Sequence, residues 1–260
     1  MKFFDMHTHV YPDAIATRAA RNIRDYYHLG ENMDGTISTL LERGSAAGVC
    51  RYLILPVAVK PEHVRSINQF TWQQVQTYDS FVGFGTVHAG MENLCEEVEY
   101  IMENGLRGLK MHPDSQVFAI DDPRLFPVYD MIGDKLPILF HMGDHRFDYS
   151  HPARLRKVLD LFPKLRVIAA HFGGYSMYDT AAELLYDKDC FFDVSSSLMF
   201  MEEGVAEKYI NHYGADRLVY GSDFPMWDPV REMERFMRLK LTDSQREQIA
   251  HITAEGILGI

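Results

Sequence analysis

The sequence predicts an α/β fold, specifically a single-domain (β/α)₈ TIM barrel. Eight short apolar runs recur along the 260 residues, and most are apolar throughout rather than alternating. Continuous apolar runs are typical of parallel strands that are buried on both faces. The runs start roughly 25–50 residues apart, mostly near 30, which is about the length of one strand–helix–strand unit. Eight alternations of strand and helix in about 250 residues match a (β/α)₈ barrel, with a doubly wound open sheet as the alternative.

The predicted elements follow in chain order. The strand-like runs span residues 3–10, 49–57, 81–88, 106–113, 136–143, 165–172, 190–197 and 217–224. Helices are expected at about 36–47, 96–105, 122–135, 150–164 and 242–260. Ser150 is expected to cap its helix, with Pro152 in the first turn. Segment 11–33 is expected to form a helical insertion after strand one, and on a barrel such an insertion lies over the C-terminal mouth as a lid or substrate wall.

Composition and charge restrict the class of partner. The chain is 47% hydrophobic, enough for one core over residues 1–260, and its net charge of -11 disfavours nucleic acid and anionic membranes as partners. Three unpatterned cysteines (Cys50, Cys95 and Cys190) argue against a disulfide framework and favour a cytoplasmic location. We find neither an apolar stretch near the roughly 18 residues of a membrane span nor a signal-peptide pattern. A small-molecule substrate is therefore expected, and a homo-oligomer is left open.

The first apolar run, "FFDMHTHV", carries polar residues at alternate positions. In a strand, side chains at i and i+2 point to the same face, so Asp5, His7 and His9 share one face. Two imidazoles on one face can hold a metal ion, and a carboxylate beside them can orient a ligand histidine. Taken alone, the pattern fits two ordinary histidines equally well. Asp5 is expected to support the ligands rather than to be one.

Polar residues recur at the carboxyl ends of the predicted strands. These ends carry His7, His9, His88, Lys110, His112, His141, His171 and Asp223. The set includes six of the 12 histidines, and in a barrel the carboxyl ends converge where active sites lie. Neutral imidazoles with one carboxylate suit Zn²⁺ or a similar cation, and a catalytic site leaves one position for water. The pattern therefore predicts a metal centre with acid–base chemistry.

Five motifs in this order resemble the amidohydrolase superfamily, specifically its amidohydrolase-2 branch. The motifs are "DMHTHVYP", "GLKMHP", "LPILFHMG", "VIAAHFGG" and "YGSDFP", and they span nearly the whole chain. The branch contains metal-dependent hydrolases and non-oxidative decarboxylases of the aminocarboxymuconate-semialdehyde and resorcylate type. The resemblance implies that His7, His9, His141 and Asp223 bind the metal and that His171 and Asp223 are catalytic.

The resemblance leaves two points open at the site. In two-metal members a carboxylated lysine on strand four bridges the ions, and Lys110 lies on that strand; one Zn²⁺ ion is favoured here, with two as the alternative. Otherwise Lys110 or His112 is expected to bind a substrate carboxylate or polarise a carbonyl. Arg146 and Trp227, which follow strands five and eight, are the other candidate substrate-binding residues.

The leading functional prediction is a metal-dependent hydrolase that attacks a small, carboxylate-bearing substrate through a metal-activated water. His171 is expected to orient or deprotonate that water, and Asp223 to carry the proton to the leaving group. The alternative is a metal-dependent decarboxylase of a small aromatic or muconate-type acid. A TatD-type nuclease is disfavoured by the acidic charge and by "GSDFP", and a non-catalytic binding barrel is disfavoured by the acid–base pair beside the metal ligands.

Overall fold

The computed structural model describes residues 1–30 and 32–260. The strands are β1 (Phe3–Thr8), β2 (Val49–Ile54), β3 (Phe81–Gly83), β4 (Gly85–Thr86), β5 (Leu109–Met111), β6 (Ile138–Phe140), β7 (Val167–Ala169), β8 (Phe191–Asp193) and β9 (Leu218–Val219). The helices are α1 (Asp13–Tyr26), α2 (Ile37–Ala46), α3 (Val64–Thr77), α4 (Leu94–Glu103), α5 (Pro113–Gln116), α6 (Phe126–Ile132), α7 (Pro152–Leu161), α8 (Tyr178–Leu185), α9 (Val205–Tyr213), α10 (Pro229–Arg238), α11 (Asp243–Glu247) and α12 (Thr253–Leu258). None of the described helices has the length and apolar character needed to cross a membrane.

Each of the eight predicted runs contains a strand, and the run at 81–88 is divided into β3 and β4. The predicted helical insertion after strand one is present as α1, although Glu31, which falls within segment 11–33, lies outside the described residues. The prediction that Ser150 caps α7 is wrong. His151 is the cap, because its Nδ1 accepts a hydrogen bond from the amide of Ala153 at 3.1 Å. The Ser150 hydroxyl instead accepts a hydrogen bond from the backbone amide of Gly143 at 2.9 Å.

Residues Pro56–Asp193 form one compact unit, here called the central unit. Within it, β4 to β8 are successive parallel neighbours. The three residues of β6 (Ile138–Phe140) are all 0% exposed, as are those of β7. This complete burial explains why the predicted runs are apolar throughout, because neither face of these strands meets water.

Residues Met1–Leu55 and Val194–Ile260 form a second compact unit, here called the split unit. Its strands β1 and β2 pair in parallel, and all six residues of β1 are buried. On the other side, β1 bonds to the segment after β9: the amide of Asp223 donates to the carbonyl of His7 at 2.8 Å, and the amide of His9 donates to Phe224 at 2.7 Å. These backbone bonds bring the carboxyl end of β1 beside Asp223.

Candidate metal centre

The split unit brings together three of the four predicted metal ligands. Nε2 of His7 lies 3.5 Å from Oδ1 of Asp223, and Nε2 of His9 lies 3.4 Å from the same oxygen. The two imidazole rings meet at an angle of 66°, with centroids 5.1 Å apart. His7 is 1% exposed and Asp223 is 9% exposed. One carboxylate oxygen therefore lies within 3.5 Å of two ring nitrogens at a largely buried position.

The hydrogen bond of His9 fixes its protonation pattern. Its Nδ1 lies 2.6 Å from the carbonyl oxygen of Leu55. A carbonyl oxygen can only accept a hydrogen bond, so Nδ1 carries the proton and the neutral ring keeps its lone pair on Nε2. That lone pair faces Oδ1 of Asp223, which is also an acceptor when ionised. Two acceptors in this arrangement repel each other unless a cation or an added proton lies between them.

Partners at the carboxyl end of β8 orient the other two donors. The hydroxyl of Ser195 lies 3.1 Å from Nδ1 of His7, which leaves Nε2 directed at Asp223. The hydroxyl of Ser196 donates to Oδ2 of Asp223, which leaves Oδ1 directed at both imidazoles. The two serines thus occupy Nδ1 of His7 and Oδ2 of Asp223, which orients Nε2 of His7 and Oδ1 of Asp223 toward each other.

A glycine makes room for this arrangement. A Cβ atom at Gly221 would lie 2.8 Å from the Cβ of His7 and 3.2 Å from the Cβ of Ser195. Both distances are shorter than ordinary van der Waals contact, so only glycine lets the segment after β9 approach β1 this closely. The glycine in "YGSDFP" is therefore required by packing at the site.

Asp5 contacts the backbone that carries His7 and Asp223, which fits the supporting role expected from its place on β1. Its Oδ1 accepts hydrogen bonds from the amides of Ser222 at 2.8 Å and His7 at 3.2 Å. Burial raises the pKa of Asp5 to about 7, although these hydrogen bonds act in the opposite direction. Its Oδ2 is buried without a hydrogen-bond partner among the described residues. Asp5 thus ties β1 to the segment that carries Asp223.

The donor set of the split unit fits a divalent cation. Ligands at 2.0–2.1 Å from a tetrahedral Zn²⁺ ion are roughly 3.3–3.4 Å apart. The observed separations of 3.4 and 3.5 Å between the imidazole nitrogens and Oδ1 of Asp223 agree with that spacing. A cation would also remove the repulsion between the lone pairs of His9 and Asp223. The His/Asp chemistry predicted for a divalent metal is therefore present in this unit.

The central unit pairs the other two predicted histidines. Nε2 of His171 lies 3.1 Å from Nδ1 of His141, with the rings 66° apart. The amide of His171 donates to Oδ1 of Asp193 at 3.0 Å. The φ of His171 is 59°, in the left-handed region that is uncommon for residues other than glycine. This turn directs the His171 ring at His141. Either one of the two facing nitrogens is protonated and donates a hydrogen bond to the other, or both carry lone pairs that face a shared ion.

His112 contacts the same pair in a different way. Its ring stacks on His141 with centroids 3.9 Å apart and an interplanar angle of 8°. The lone pairs of an imidazole lie in the ring plane, so two parallel stacked rings do not aim at one ion. His112, Asp114 and His141 offer ligand atoms within 4.8 Å of one another, but this stacking argues against a cation between the two rings as they stand. Burial raises the pKa of Asp114 to about 6, and the Ser150 hydroxyl donates to its carboxyl group.

The structure places the remaining predicted substrate-binding residues as follows. Lys110 is 0% exposed within β5. The guanidinium of Arg146 pairs with the buried carboxylate of Asp144, at 2.6 Å from Nη2 to Oδ2. The indole of Trp227 donates to the hydroxyl of Ser196 at 2.8 Å, and Phe200 packs edge-on against it. Their contact with a substrate stays a prediction.

The sequence-based reasoning missed Ser195 and Gly221 as parts of the site, and it did not predict that Ser196 holds Asp223. The signal available was the triplet "SSS" at the carboxyl end of the predicted run 190–197, where functional residues gather. Hydroxyls in that position can orient a metal ligand. The identity of the residues that they orient could not be read, because Ser195 and His7 are 188 positions apart.

Comparisons with known proteins agree in fold and family. The Amidohydro_2 family model, described as Amidohydrolase, matches residues 4–260. The chain is similar to a TIM-barrel protein from Bordetella bronchiseptica, with 20% identity, a TM-score of 0.85, and 100% of this chain and 99% of that one covered. It is also similar to a 5-carboxyvanillate decarboxylase from Sphingomonas paucimobilis, with 16% identity, a TM-score of 0.76, and 100% and 99% coverage.

A further similar structure is a dihydroxybenzoic acid decarboxylase from Polaromonas sp. JS666 with bound manganese and an inhibitor, 2-nitroresorcinol. It shares 16% identity and a TM-score of 0.74, with 99% of this chain and 97% of that chain covered. No curated protein matches the chain by sequence. The structural likenesses confirm the predicted α/β fold of the TIM-barrel type.

Proposed function

The chain belongs to the amidohydrolase family defined by Amidohydro_2, and we propose that it is a metal-dependent enzyme that decarboxylates a small organic acid without oxidation. The observation that carries a metal-dependent function is that Oδ1 of Asp223 faces Nε2 of both His7 and His9, at 3.5 and 3.4 Å. Two of the three solved structures named above are decarboxylases of ring-bearing acids, which favours this reaction over hydrolysis.

The proposed ligands of the ion are His7, His9, His141 and Asp223, and the proposed ion is Zn²⁺. Imidazole with one carboxylate suits Zn²⁺, and Mn²⁺ is the alternative because one similar structure holds manganese. A divalent cation at this position supplies Lewis acidity toward substrate oxygens. One ion is proposed; a second ion would require carboxylation of Lys110, which ¹³C NMR of the folded protein in ¹³C-bicarbonate at neutral pH would detect as a carbamate signal.

The residues of the chain supply the proton that decarboxylation consumes. The bond between the carboxylate carbon and the substrate carbon breaks, its electron pair stays on the substrate carbon, and CO₂ leaves. A proton then forms the new C–H bond, and we assign its delivery to the carboxyl group of Asp223, which solvent reprotonates. His171 is proposed to orient the reacting groups. Lys110, His112, Arg146 and Trp227 are proposed to position the substrate.

Hydrolysis is the second candidate, favoured by the description of the family as amidohydrolases. In that reaction His171 would deprotonate or orient the attacking water. Asp223 would pass the proton to the leaving amine or alcohol. The same cluster serves both reactions, since both place negative charge on a substrate oxygen or carbon beside a cation.

Isotopic solvents separate the two reactions. The purified protein would be incubated with hydroxybenzoic acids, lactones and amides in D₂O and in H₂¹⁸O. Decarboxylation releases CO₂ and places one deuterium on a substrate carbon, whereas hydrolysis releases no CO₂ and places one solvent oxygen in a product. A metal-loaded protein that produces neither signature with any member of the panel contradicts both candidates.

Metal analysis tests the proposed ligands independently of the substrate. Protein purified without chelator is expected to carry about one ion per chain, and a His7→Ala/His9→Ala variant is expected to carry far less. His212→Ala is the matched control, because His212 lies exposed on α9. Equal metal content in all three proteins would remove the assigned site.

A further inference from the structure

A directed chain of hydrogen bonds ends on the candidate ligand Asp223. The indole Nε1 of Trp227 donates to the hydroxyl oxygen of Ser196 at 2.8 Å. The Ser196 hydroxyl in turn donates to Oδ2 of Asp223. An indole N–H can only donate and an ionised carboxylate can only accept, so the direction of both bonds is fixed.

The backbone holds both members of the Ser196–Asp223 pair in unusual conformations. The φ of Ser196 is 49° and that of Asp223 is 58°, both in the left-handed region. Such conformations in residues other than glycine cluster at functional sites, where the surrounding structure imposes them. Ser196 is 5% exposed, so water does not compete freely for its hydroxyl. The contact between the two side chains is therefore built by the fold rather than by a chance rotamer.

The neighbouring serines have other partners. Ser195 contacts Nδ1 of His7, and Ser197 donates to the carbonyl of Ser195 at 2.8 Å. Ser197 is also fully buried, so its hydroxyl is as well protected from water as that of Ser196. The three serines thus differ in the partner they hold rather than in burial. This difference makes Ser197 a matched control for Ser196.

We propose that Ser196, held in place by Trp227, is a positioning residue that restricts Asp223 to binding the cation through Oδ1 alone. This inference rests on the proposed metal-dependent function. A carboxylate can bind a cation with one oxygen or with both. A hydrogen bond to Oδ2 occupies that oxygen and turns it away from His7 and His9. The coordination position that Oδ2 would otherwise fill stays available for water or substrate, as a catalytic site requires.

The test uses Co²⁺ as a spectroscopic substitute for the native ion in the full-length protein. Four-coordinate Co²⁺ absorbs visible light more strongly than five- or six-coordinate Co²⁺, so its spectrum reports the number of ligands. The proteins are wild type, Ser196→Ala, Trp227→Phe, the double variant and Ser197→Ala. Co²⁺ affinity is measured in parallel by competition with a chromophoric chelator.

Ser196→Ala is expected to bind Co²⁺ about tenfold more weakly, the size of effect usual for loss of a residue that orients a metal ligand. Its visible absorption is expected to fall as Oδ2 joins the coordination. Trp227→Phe keeps the ring against Phe200 but removes the N–H donor, so it should change the spectrum in the same direction by less. Because Trp227 acts through Ser196, the double variant should match Ser196→Ala, and Ser197→Ala should match wild type.

Two results would overturn the inference while the proposed function stands: a wild-type Co²⁺ spectrum in Ser196→Ala, or a double variant whose affinity loss is the product of the single losses. A wild-type protein that binds no metal would instead refute the proposed function. If Ser196→Ala does not fold, Trp227→Phe decides alone, since an unchanged spectrum in that variant contradicts the positioning role.

Discussion

Replacing Gly221 with alanine should damage the candidate metal centre through packing alone. The added Cβ would lie 2.8 Å from the Cβ of His7, where ordinary contact begins at 3.4 Å. Both contact atoms, on His7 and on Ser195, are Cβ atoms attached to the backbone, so no rotamer change removes the clash. The strand that carries His7 must therefore move by several tenths of an ångström.

Overpacking of this kind costs about 2 kcal/mol of unfolding free energy. In a chain of this length that cost lowers the Tm by about 4–8 °C. The assay is thermal unfolding followed by circular dichroism, with metal affinity measured on the same preparations. Metal affinity should fall as well, because the shift separates Nε2 of His7 from Asp223.

Gly256→Ala is the matched control. No heavy atom lies within 4 Å of a Cβ at Gly256, which is exposed within α12. Alanine in a helix is favoured over glycine by about 0.5–1 kcal/mol, so this variant should be as stable as wild type or more so. A Gly221→Ala protein with the Tm and metal affinity of wild type would refute the packing role of Gly221.

Two further predictions concern Glu232 and Gln116, which are not among the candidate metal ligands. Burial raises the pKa of Glu232 from 4.5 to about 7 against the opposing effect of Arg235, so the folded state binds a proton that the unfolded chain releases between these pH values. As the pH rises from 5 to 8, the free energy of unfolding of wild type should therefore fall by up to about 3 kcal/mol relative to that of Glu232→Gln. The assay is urea unfolding at each pH, and an equal pH dependence in the two proteins would contradict the prediction. The side-chain amide of Gln116 donates hydrogen bonds to the backbone carbonyls of Ala58 and Val87, at 2.8 and 2.9 Å. Gln116→Leu leaves these groups buried and unpaired and should cost about 3 kcal/mol in the same assay, whereas a loss below about 0.5 kcal/mol would show that the chain satisfies them otherwise.

The strands could be predicted because their burial leaves a direct trace in the sequence. Residues of β6 such as Ile138 and Phe140 meet no water on either face, so the run is apolar without alternation. The proximity of His7 and His9 to Asp223 could be expected from position, since each residue lies near the end of a strand-like run. Local sequence was sufficient to predict these features because the apolar pattern of a strand and the polar residues at its end lie within one short segment.

Hydrogen-bond partners were not predictable in the same way. Serine is a residue type that often caps helices, yet the hydroxyl of Ser150 donates a hydrogen bond to Asp114, 36 positions away. The Ser196 hydroxyl holds Asp223 across 27 positions for the same reason. A hydroxyl can satisfy a local amide or a distant carboxylate, and only the folded backbone decides between them.

The split unit is built from two distant stretches of chain, so His7 and His9 are synthesised well before Asp223. His9 leaves the ribosome about two hundred residues before Asp223, which at roughly 5–20 residues per second is a wait on the order of 10–40 s. An ion captured by the nascent chain in that interval meets imidazole without the carboxylate. The preference that a carboxylate adds for harder cations arises only after Asp223 has been translated. A choice between cations that depends on the complete set of His7, His9 and Asp223 therefore requires the C-terminal stretch of the split unit to be present.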